Sequence, residues 1–479
     1  MPTSERPTDP VNRVAIMDRL RRLWKDEEEE QAYEPLENSI TEADREDAAV
    51  PSEDVKTAFS WMEYGVFLLL GISMLWAWNM FLAAGPYFQH RFRNNAWISE
   101  NFQAAELAVS TITNLVSMLV LTRMQAGASY PKRIISSLFI NMATFALLAA
   151  STVFDVGAVG YFTFLMVMIF ATSLATGLCQ NGIFAYVSGF GQPQYTQGIM
   201  TGQGVAGVLP CIAQIVSVLS VQSQTRASEP VGGVPSPDRP APGPQPVKST
   251  AALAYFLTAT IISVLTLFAF SYLATRHRRT ISKPPPTTSP EAVDEAPIET
   301  AEVPLTVLFR KLVWLATAVF VTFAITMIFP VFTQRIVSVR PSKDQPAFLQ
   351  PSSFIPLAFL FWNAGDLIGR LLTAVPSLSL VHRPRLVLIL AVLRIAWVGL
   401  YHLCNVRGQG AVVNSDVFYL IVVQMLFGLT NGYLGSTCMI GAGEWVEPEE
   451  REAAGGFMGL CLVAGLAVGS LASFFAAGA

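Results

Sequence analysis

The chain has 479 residues, of which 52% are hydrophobic and only 14% charged, whereas about a quarter of the residues in soluble proteins are charged. Residues 1–60 hold 8 Lys and Arg against 16 Asp and Glu, so this end of the chain has a net charge of −8. This composition excludes a secreted disulfide scaffold, a basic nucleic-acid-binding domain and a disordered chain. It indicates a polytopic membrane protein.

Residues 1–60 are predicted to form a disordered acidic cytosolic tail. They include an acidic run at 26–30 and lack the apolar segment of a cleavable signal peptide. The tetrapeptide Tyr33–Leu36 fits a Y-x-x-Φ sorting signal, a pattern that also arises by chance. The plasma membrane and a vacuolar or lysosomal membrane both remain open as locations.

Long apolar segments follow the tail. A bilayer core of ~30 Å needs ~20 helical residues, and these segments are too long and too uniformly apolar for barrel strands. Stretches rich in Pro at 223–249 and 276–303 are predicted loops. The predicted spans are 63–87, 103–122, 134–154, 159–187, 195–221, 251–275, 307–333, 352–374, 385–405, 416–440 and 453–476.

The loop at 276–303 divides the spans into an N-terminal six-helix half, 61–275, and a C-terminal five-helix half, 304–479. The predicted fold class is therefore an all-α polytopic membrane protein with two pseudosymmetric halves. The basic cluster Arg276–Arg279 favours a cytosolic N-terminus by the positive-inside rule. Arg335 and Arg340 on the opposite side weaken that bias.

Ionisable residues inside a span are candidates for function because charge in a bilayer is costly. Asp366 and Arg370 are four residues apart and can pair on one helical face, which Asn363 shares. They are interpreted either as a ligand site or as a packing or gating ion pair, and both can hold. Arg394 is expected to snorkel or to pair with a carbonyl or carboxylate, in a structural role. Glu106 is expected to be interfacial, which leaves Asp366 as the single mid-span carboxylate.

Aromatic and amide side chains lie in two other spans. Trp78 and Asn79 in the first span suit a planar ligand that stacks and forms hydrogen bonds. Gln180 and Asn181 in the fourth span offer amide donors and acceptors. The alternative for Trp78 and Asn79 is an interfacial Trp belt with an interhelical Asn contact.

Small residues are spaced for close helix approach in the fifth and last spans. They are predicted to serve in packing or gating: Gly198, Gly202, Gly204, Gly455 and Gly459. The five cysteines and four histidines have no metal-ligand spacing, so neither a metal nor a cofactor is predicted.

Four stretches, in order along the chain, resemble the equilibrative nucleoside transporter family. The first is Trp78-Asn79-x-Phe81 with Tyr87-Phe88. The second joins Gln180 to Pro193-x-Tyr195-Thr196-Gln197 and Gly202-Gln203-Gly204-x-Ala206-Gly207, and the third is Asn363-x-x-Asp366-x-x-Gly369-Arg370. The fourth runs from Asn431-Gly432-Tyr433-Leu434-x-Ser436 through Pro448 to Ala453-Ala454-Gly455. Each stretch alone is weak evidence for the resemblance, whereas four stretches in the same order are strong evidence.

The resemblance implies a major-facilitator-like arrangement of six plus five helices around a central cavity. It also implies facilitated diffusion of nucleosides, or of nucleobases, by alternating access, with no enzymatic activity. Trp78 would pack against the ligand and Gln180 would hydrogen-bond the base. Asp366 and Arg370 would bind the ribose hydroxyls, supported by Asn363. Ala77, where many relatives have Pro, and Leu82, where some have Met, leave substrate preference and inhibitor sensitivity open.

Several alternatives remain. The nearest is a major-facilitator-type carrier of another small polar solute such as a sugar, against which the odd span count argues. A proton-coupled nucleoside carrier is disfavoured because Asp366 is expected to be paired with Arg370. A receptor or channel is disfavoured by the two-half layout. An intramembrane enzyme is least expected, since no H-E-x-x-H or comparable constellation occurs.

Overall fold

The computed structural model contains eleven helices of membrane-spanning length within its described residues, which confirms the predicted count. The acidic tail, the sorting tetrapeptide and most of the two Pro-rich loops lie outside those residues. The structure describes 59–125, 127–154, 156–227, 249–281, 302–341 and 345–478. The helices are α1 (Trp61–Arg91), α2 (Ala96–Arg123), α3 (Tyr130–Ser151), α4 (Ala158–Gly189), α5 (Pro193–Ala227), α6 (Ser249–Ile281), α7 (Leu305–Thr333), α8 (Pro351–Leu372), α9 (Pro384–His402), α10 (Phe418–Glu444) and α11 (Arg451–Gly478).

Two helix ends differ from the predicted bounds in informative ways. Helix α2 begins at Ala96 rather than at 103, because the Asn95 side chain accepts a hydrogen bond from the Ile98 N–H at 3.1 Å and caps it. Helix α6 continues to Ile281, beyond the predicted start of the loop at 276. The basic cluster at 276–279 therefore extends the helix instead of opening a loop.

Three helices are interrupted. Helix α7 breaks between Thr326 and Ile328, and α9 breaks at Arg394 and Ile395. Helix α10 begins with a π-helical segment, Phe418–Met425, before regular α-helix follows. Mid-helix irregularities of this kind are frequent at functional sites.

Within each half the helices pack against one another. Helix α1 packs against α5 and α6, α3 against α4 and α6, and α2 against α4. In the second half α7 packs against α9, α10 and α11, and α8 packs against α10. Two zones join the halves, namely α5 with α8 and α11 with both α4 and α2.

The hydrophobic core is continuous across the halves on one side only. On the side where α1 begins, here called the N-terminal side, one cluster includes Phe67 and Ile199 of the first half and Leu312 and Phe457 of the second. On the opposite, far side, a cluster around Phe88 belongs to the first half alone. A separate far-side cluster is built from the second half. The halves therefore share a core on the N-terminal side and have separate cores on the far side.

Helices α8 and α10 approach each other until their backbones touch. Gly365 and Gly369 of α8 face Gly428 and Gly432 of α10, and a β-carbon added to any of the four would overlap a backbone carbonyl of the other helix. Reciprocal pairs of glycines four residues apart permit this geometry. Asp366 lies next to this contact, since its carbonyl is the one that a side chain at Gly432 would strike.

We expect Gly432→Ala to destabilise the protein by about 1–3 kcal/mol, the usual cost of overpacking. Gly399→Ala is the matched control, because Gly399 is in α9 and has nothing within 4 Å of an added β-carbon. Thermal unfolding of the purified protein in detergent measures both. Equal unfolding temperatures for the two variants would contradict the close contact.

Candidate functional site

An ion pair is buried in α8. Arg370 Nε donates to Asp366 Oδ2 at 2.7 Å, and each residue is only 4% exposed. The spacing of four residues along one helix brings the two side chains to the same face. The pair is thus interior, where an unpaired ion would be far more costly.

Neighbouring helices complete the hydrogen bonding of this pair. Arg370 Nη1 donates to Met200 O and to Gln203 Oε1 of α5, each at 2.9 Å. Asn431 Nδ2 of α10 donates to Asp366 Oδ1 at 2.7 Å. Since α5 belongs to the first half, the ion pair connects the two halves.

The pair keeps capacity to bind a ligand. Arg370 Nη2 has no protein acceptor within the described residues. Each oxygen of Asp366 accepts one hydrogen bond there, and a carboxylate oxygen can accept two. One donor nitrogen and two acceptor oxygens therefore remain for hydroxyl groups.

A hydrogen-bond relay runs from Asp366 to a second arginine. Thr326 Oγ1 donates to Asn431 Oδ1 at 2.5 Å, and Arg394 Nη2 donates to Thr326 Oγ1 at 3.1 Å. Arg394 Nη1 also donates to Thr322 O, the other acceptor within reach of the Thr326 hydroxyl. The Asp366 carboxylate, paired with Arg370, accepts hydrogen bonds, so Asn431 presents its NH₂ group to it and its Oδ1 to the Thr326 hydroxyl.

Arg394 is 1% exposed and is therefore buried rather than snorkelled. Its Nε donates to Thr430 Oγ1 at 3.2 Å, and its guanidinium carbon is 4.6 Å from the centroid of Phe427. No ion pair to Arg394 occurs in the described part of the chain. Carbonyl, hydroxyl and aromatic contacts replace a counter-ion.

Two of the predicted amides, Asn79 of α1 and Asn363 of α8, contact consecutive residues of α5. Asn79 Nδ2 donates to Ala206 O at 2.7 Å. A β-carbon at Gly207, the next residue, would overlap Asn363 Oδ1. Asn363 Nδ2 donates to Phe359 O at 2.9 Å, not to Asp366. The amide that supports the ion pair is therefore Asn431, and Asn363 lies between α8 and α5.

Trp78 and Gln180 are not hydrogen-bonded to the ion pair. Trp78 is half-buried beside Asn79 on α1. Gln180 is 5% exposed on α4, and its Oε1 has no hydrogen-bond partner among the described residues. Its neighbour Asn181 is engaged, accepting from Arg133 Nη1 and donating to Thr122 Oγ1. Gln180 is thus the amide of α4 that retains an unused acceptor.

The five predicted packing glycines all lie at close helix contacts. Added β-carbons at Gly198 and Gly202 would meet Tyr64 and Leu68 of α1, and those at Gly455 and Gly459 would meet Phe184 of α4.

Gly204 of α5 has a further neighbour, since its β-carbon would lie 3.1 Å from Arg370 Cδ. Gly204 therefore leaves room for the stem of Arg370, and whether these glycines gate transport stays a prediction.

Glu106 is packed inside the protein, which the sequence did not predict. It is 7% exposed within α2, and its Oε1 has no hydrogen-bond partner among the described residues. Its expected interfacial depth in the bilayer stays a prediction. The earlier start of α2 at Ala96 places Glu106 about three turns inside the helix. Asp366 is therefore not the single buried carboxylate of the spans.

Comparison with known proteins gives a consistent family match. A sequence model described as "Nucleoside transporter" matches residues 166–281 and 279–477. The nucleoside transporter FUN26 of Saccharomyces cerevisiae is 28% identical over 86% of this chain and 83% of its own. The human equilibrative nucleoside transporter 2 is 26% identical over 85% of this chain and 95% of its own.

Solved structures with a similar course of the chain include two proton symporters. The fucose:proton symporter FucP of E. coli is 14% identical, with a TM-score of 0.47 over 87% of this chain and 96% of that one. The proton:xylose symporter XylE is 9% identical, with a TM-score of 0.49 over 86% of each chain.

We expect Thr326→Val to lower the free energy of unfolding by about 1–3 kcal/mol, because it leaves Asn431 Oδ1 without a partner. The matched control is Thr437→Val, whose buried hydroxyl donates only to Tyr433 O of its own helix. Thermal unfolding in detergent compares them. Equal destabilisation would show that the relay adds nothing beyond an ordinary buried threonine.

Proposed function

The chain belongs to the nucleoside transporter family, and on that premise we propose that it carries nucleosides across a membrane by facilitated, alternating-access transport. It is an integral multi-pass membrane protein with eleven spanning helices in its described residues. The proposal includes nucleobases as further substrates. A carrier of another polar solute and a proton-coupled nucleoside carrier are the alternatives.

The observation that carries this proposal is the buried Asp366–Arg370 pair, which connects the halves and retains unused donor and acceptor capacity. A ribose offers hydroxyl groups that both donate and accept. Its oxygens can accept from Arg370 Nη2, and its protons can go to the free lone pairs of Asp366. A carrier must also release its cargo, so we expect micromolar to millimolar affinity, about −8 to −4 kcal/mol.

The base is assigned to the first half. Trp78, half-buried on α1, offers an aromatic surface for packing. Gln180 has a buried acceptor oxygen without a protein partner, and such groups are costly unless a ligand or water satisfies them. Asn79 and Asn363 flank α5 and would hold the helices that frame the site.

Alternating access is supported by the distribution of the core. The halves share one hydrophobic cluster on the N-terminal side and have separate clusters on the far side. A rocking motion can break the shared cluster while leaving both far-side clusters intact. This asymmetry corresponds to a state that is closed on the N-terminal side.

Uncoupled transport is part of the proposal. Asp366 has a cationic partner and an amide partner, so it is not a free carboxyl. Glu106 is a second buried carboxyl group, and it is therefore another candidate for binding a coupled proton. Coupling therefore has to be tested directly. We further propose that the N-terminal side is cytosolic, in a plasma or a vacuolar or lysosomal membrane.

Counterflow in proteoliposomes tests the function. Liposomes loaded with unlabelled uridine should accumulate external tritiated uridine transiently, because only a carrier shows accelerated exchange. The control is loading with a sugar, which should give no accumulation. Counterflow with sugar but not with nucleosides would overturn the proposal, and uptake driven by an imposed proton gradient at zero membrane potential would overturn uncoupled transport.

We expect Asp366→Asn and Arg370→Lys each to lower uridine uptake by about tenfold or more, since charge-assisted hydrogen bonds contribute about 1.5–3 kcal/mol. Arg310→Gln is the control, because Arg310 is exposed on α7. Uptake is normalised to folded protein by size-exclusion chromatography. Uptake like that of the wild type in either folded variant would refute the site.

A further inference from the structure

We propose that a cavity between the two halves on the N-terminal side binds a small tetrahedral oxyanion, namely free phosphate or the phosphate group of a monoester, and that the bound anion holds this side closed. The cavity lies between the turn that joins α4 to α5 and the segment that joins α10 to α11. The Arg451 guanidinium and the Thr196 hydroxyl both line it. The effect on transport rests on the proposed function, whereas the binding itself does not.

The cavity has the size of a small anion. Its volume is about 50 Å³, several times the roughly 10–15 Å³ that admits one water molecule. Its buried walls come from both halves and include Val187 and Thr196 of the first half and Met439 of the second. Gly191 and Glu444 are exposed at its rim. The cavity is therefore accessible from the N-terminal side and ends at a buried floor.

Arg451 can offer two guanidinium nitrogens to a ligand. Its Nε donates to Gly443 O at 3.2 Å, while Nη1 and Nη2 have no acceptor among the described residues. No ion pair to Arg451 occurs in that part of the chain either. Two adjacent N–H groups of a guanidinium match two oxygens of a phosphate. Arg451 is thus the cationic group of the site.

The turn between α4 and α5 leaves space for this arginine. A β-carbon at Gly191 would lie 2.5 Å from Arg451 Nη1, so a side chain at this position would displace the guanidinium. Gly191 also has a φ of +64°, a backbone conformation that favours glycine. Since Gly191 belongs to the first half and Arg451 to the second, the guanidinium crosses the junction between them.

Thr196 supplies a hydroxyl group from the first turn of α5. It is 6% exposed, and its hydroxyl has no hydrogen-bond partner within the described ranges. Native proteins rarely leave such a group unpaired without a bound water or ligand. The N-terminus of α5, a helix of 35 residues, adds the partial positive charge of its dipole. Together with Arg451, these features favour an oxyanion over a neutral solute.

Glu444 is the acidic group at the cavity. It is exposed at the rim, and its Oε2 lies 3.6 Å from His382 Nδ1. Water screens a carboxylate in this position, so its repulsion of an anion on the buried floor is weak. We therefore expect Glu444→Gln to tighten phosphate binding by about two- to fivefold.

The site is complete only while the halves are together on this side. Opening separates Arg451 and Gly443 of the second half from Thr196 and Gly191 of the first. A ligand that binds one conformation better shifts the population toward that conformation. Phosphate on the N-terminal side is therefore expected to slow the exchange of nucleosides.

Isothermal titration calorimetry tests the binding, with sodium phosphate, the purified full chain in detergent, constant ionic strength and no nucleoside. We expect one site per chain. Arg451→Gln should weaken binding by about tenfold or more, because it removes a charge-assisted pair. Thr196→Val should weaken it by about three- to tenfold, the value of one hydrogen bond. Arg310→Gln is the control, because Arg310 is exposed at the start of α7 and does not line this cavity.

The wild type and Thr196→Val keep the binding test decisive if Arg451→Gln does not fold. Absence of saturable phosphate binding to the wild type would overturn the site, as would affinity like that of the wild type in folded Arg451→Gln or Thr196→Val. Uridine monophosphate, titrated in parallel, identifies the source of the anion. Tighter binding than that of free phosphate supports a site for a monoester, and equal or weaker binding supports a site for free phosphate.

Uridine exchange in proteoliposomes tests the closure. With phosphate on both sides of the membrane at the measured Kd, exchange by the wild type should fall about twofold, because half of the chains then hold the anion. Arg451→Gln should be insensitive at that concentration. Phosphate binding with no effect on exchange would overturn the closure. Absence of counterflow with any nucleoside would instead overturn the proposed function, while the calorimetric result would still decide the site.

Discussion

The contact between Asp366 and Arg370 constrains how α8 packs against α10 of its own half and against α5 of the first half. Removing two ions from water costs several kcal/mol for each, and their attraction offsets this only when the remaining donors and acceptors are satisfied. Here α5 supplies two acceptors to the guanidinium and α10 supplies a donor to the carboxylate. Burial of the pair therefore requires α5, α8 and α10 to meet at one depth.

The glycines of α8 and α10 satisfy part of that requirement. Asn431 has a short side chain, and it reaches Asp366 Oδ1 because the two backbones are in contact at Gly365, Gly369, Gly428 and Gly432. The relay from Arg394 through Thr326 then supplies a hydrogen-bond donor to the other end of that amide, Asn431 Oδ1. The break in α7 after Thr326 and the break in α9 at Arg394 lie at the last two members of this relay.

Local spacing predicted the ion pair but not its environment. A separation of four residues is enough to pair Asp366 with Arg370. Asn431 and Gln203, by contrast, are 65 and 167 residues from their partners, so helical periodicity cannot identify them. Asn363 was expected to support the pair, yet its amide bonds to the carbonyl four residues earlier, a common alternative for Asn in a helix.

The same limit applies to Glu106. Its burial depends on the helices packed against α2, namely α4 and α11, and a hydropathy window cannot identify those neighbours. Arg370 lies near the end of α8 on the N-terminal side, and its bonds to Met200 and Gln203 cross between the halves. Opening that side must separate these atoms, which leaves guanidinium donors unpaired. Ribose oxygens can replace the lost acceptors. Bound nucleoside would therefore lower the free energy of opening this side, whereas the empty carrier would open with these donors unpaired.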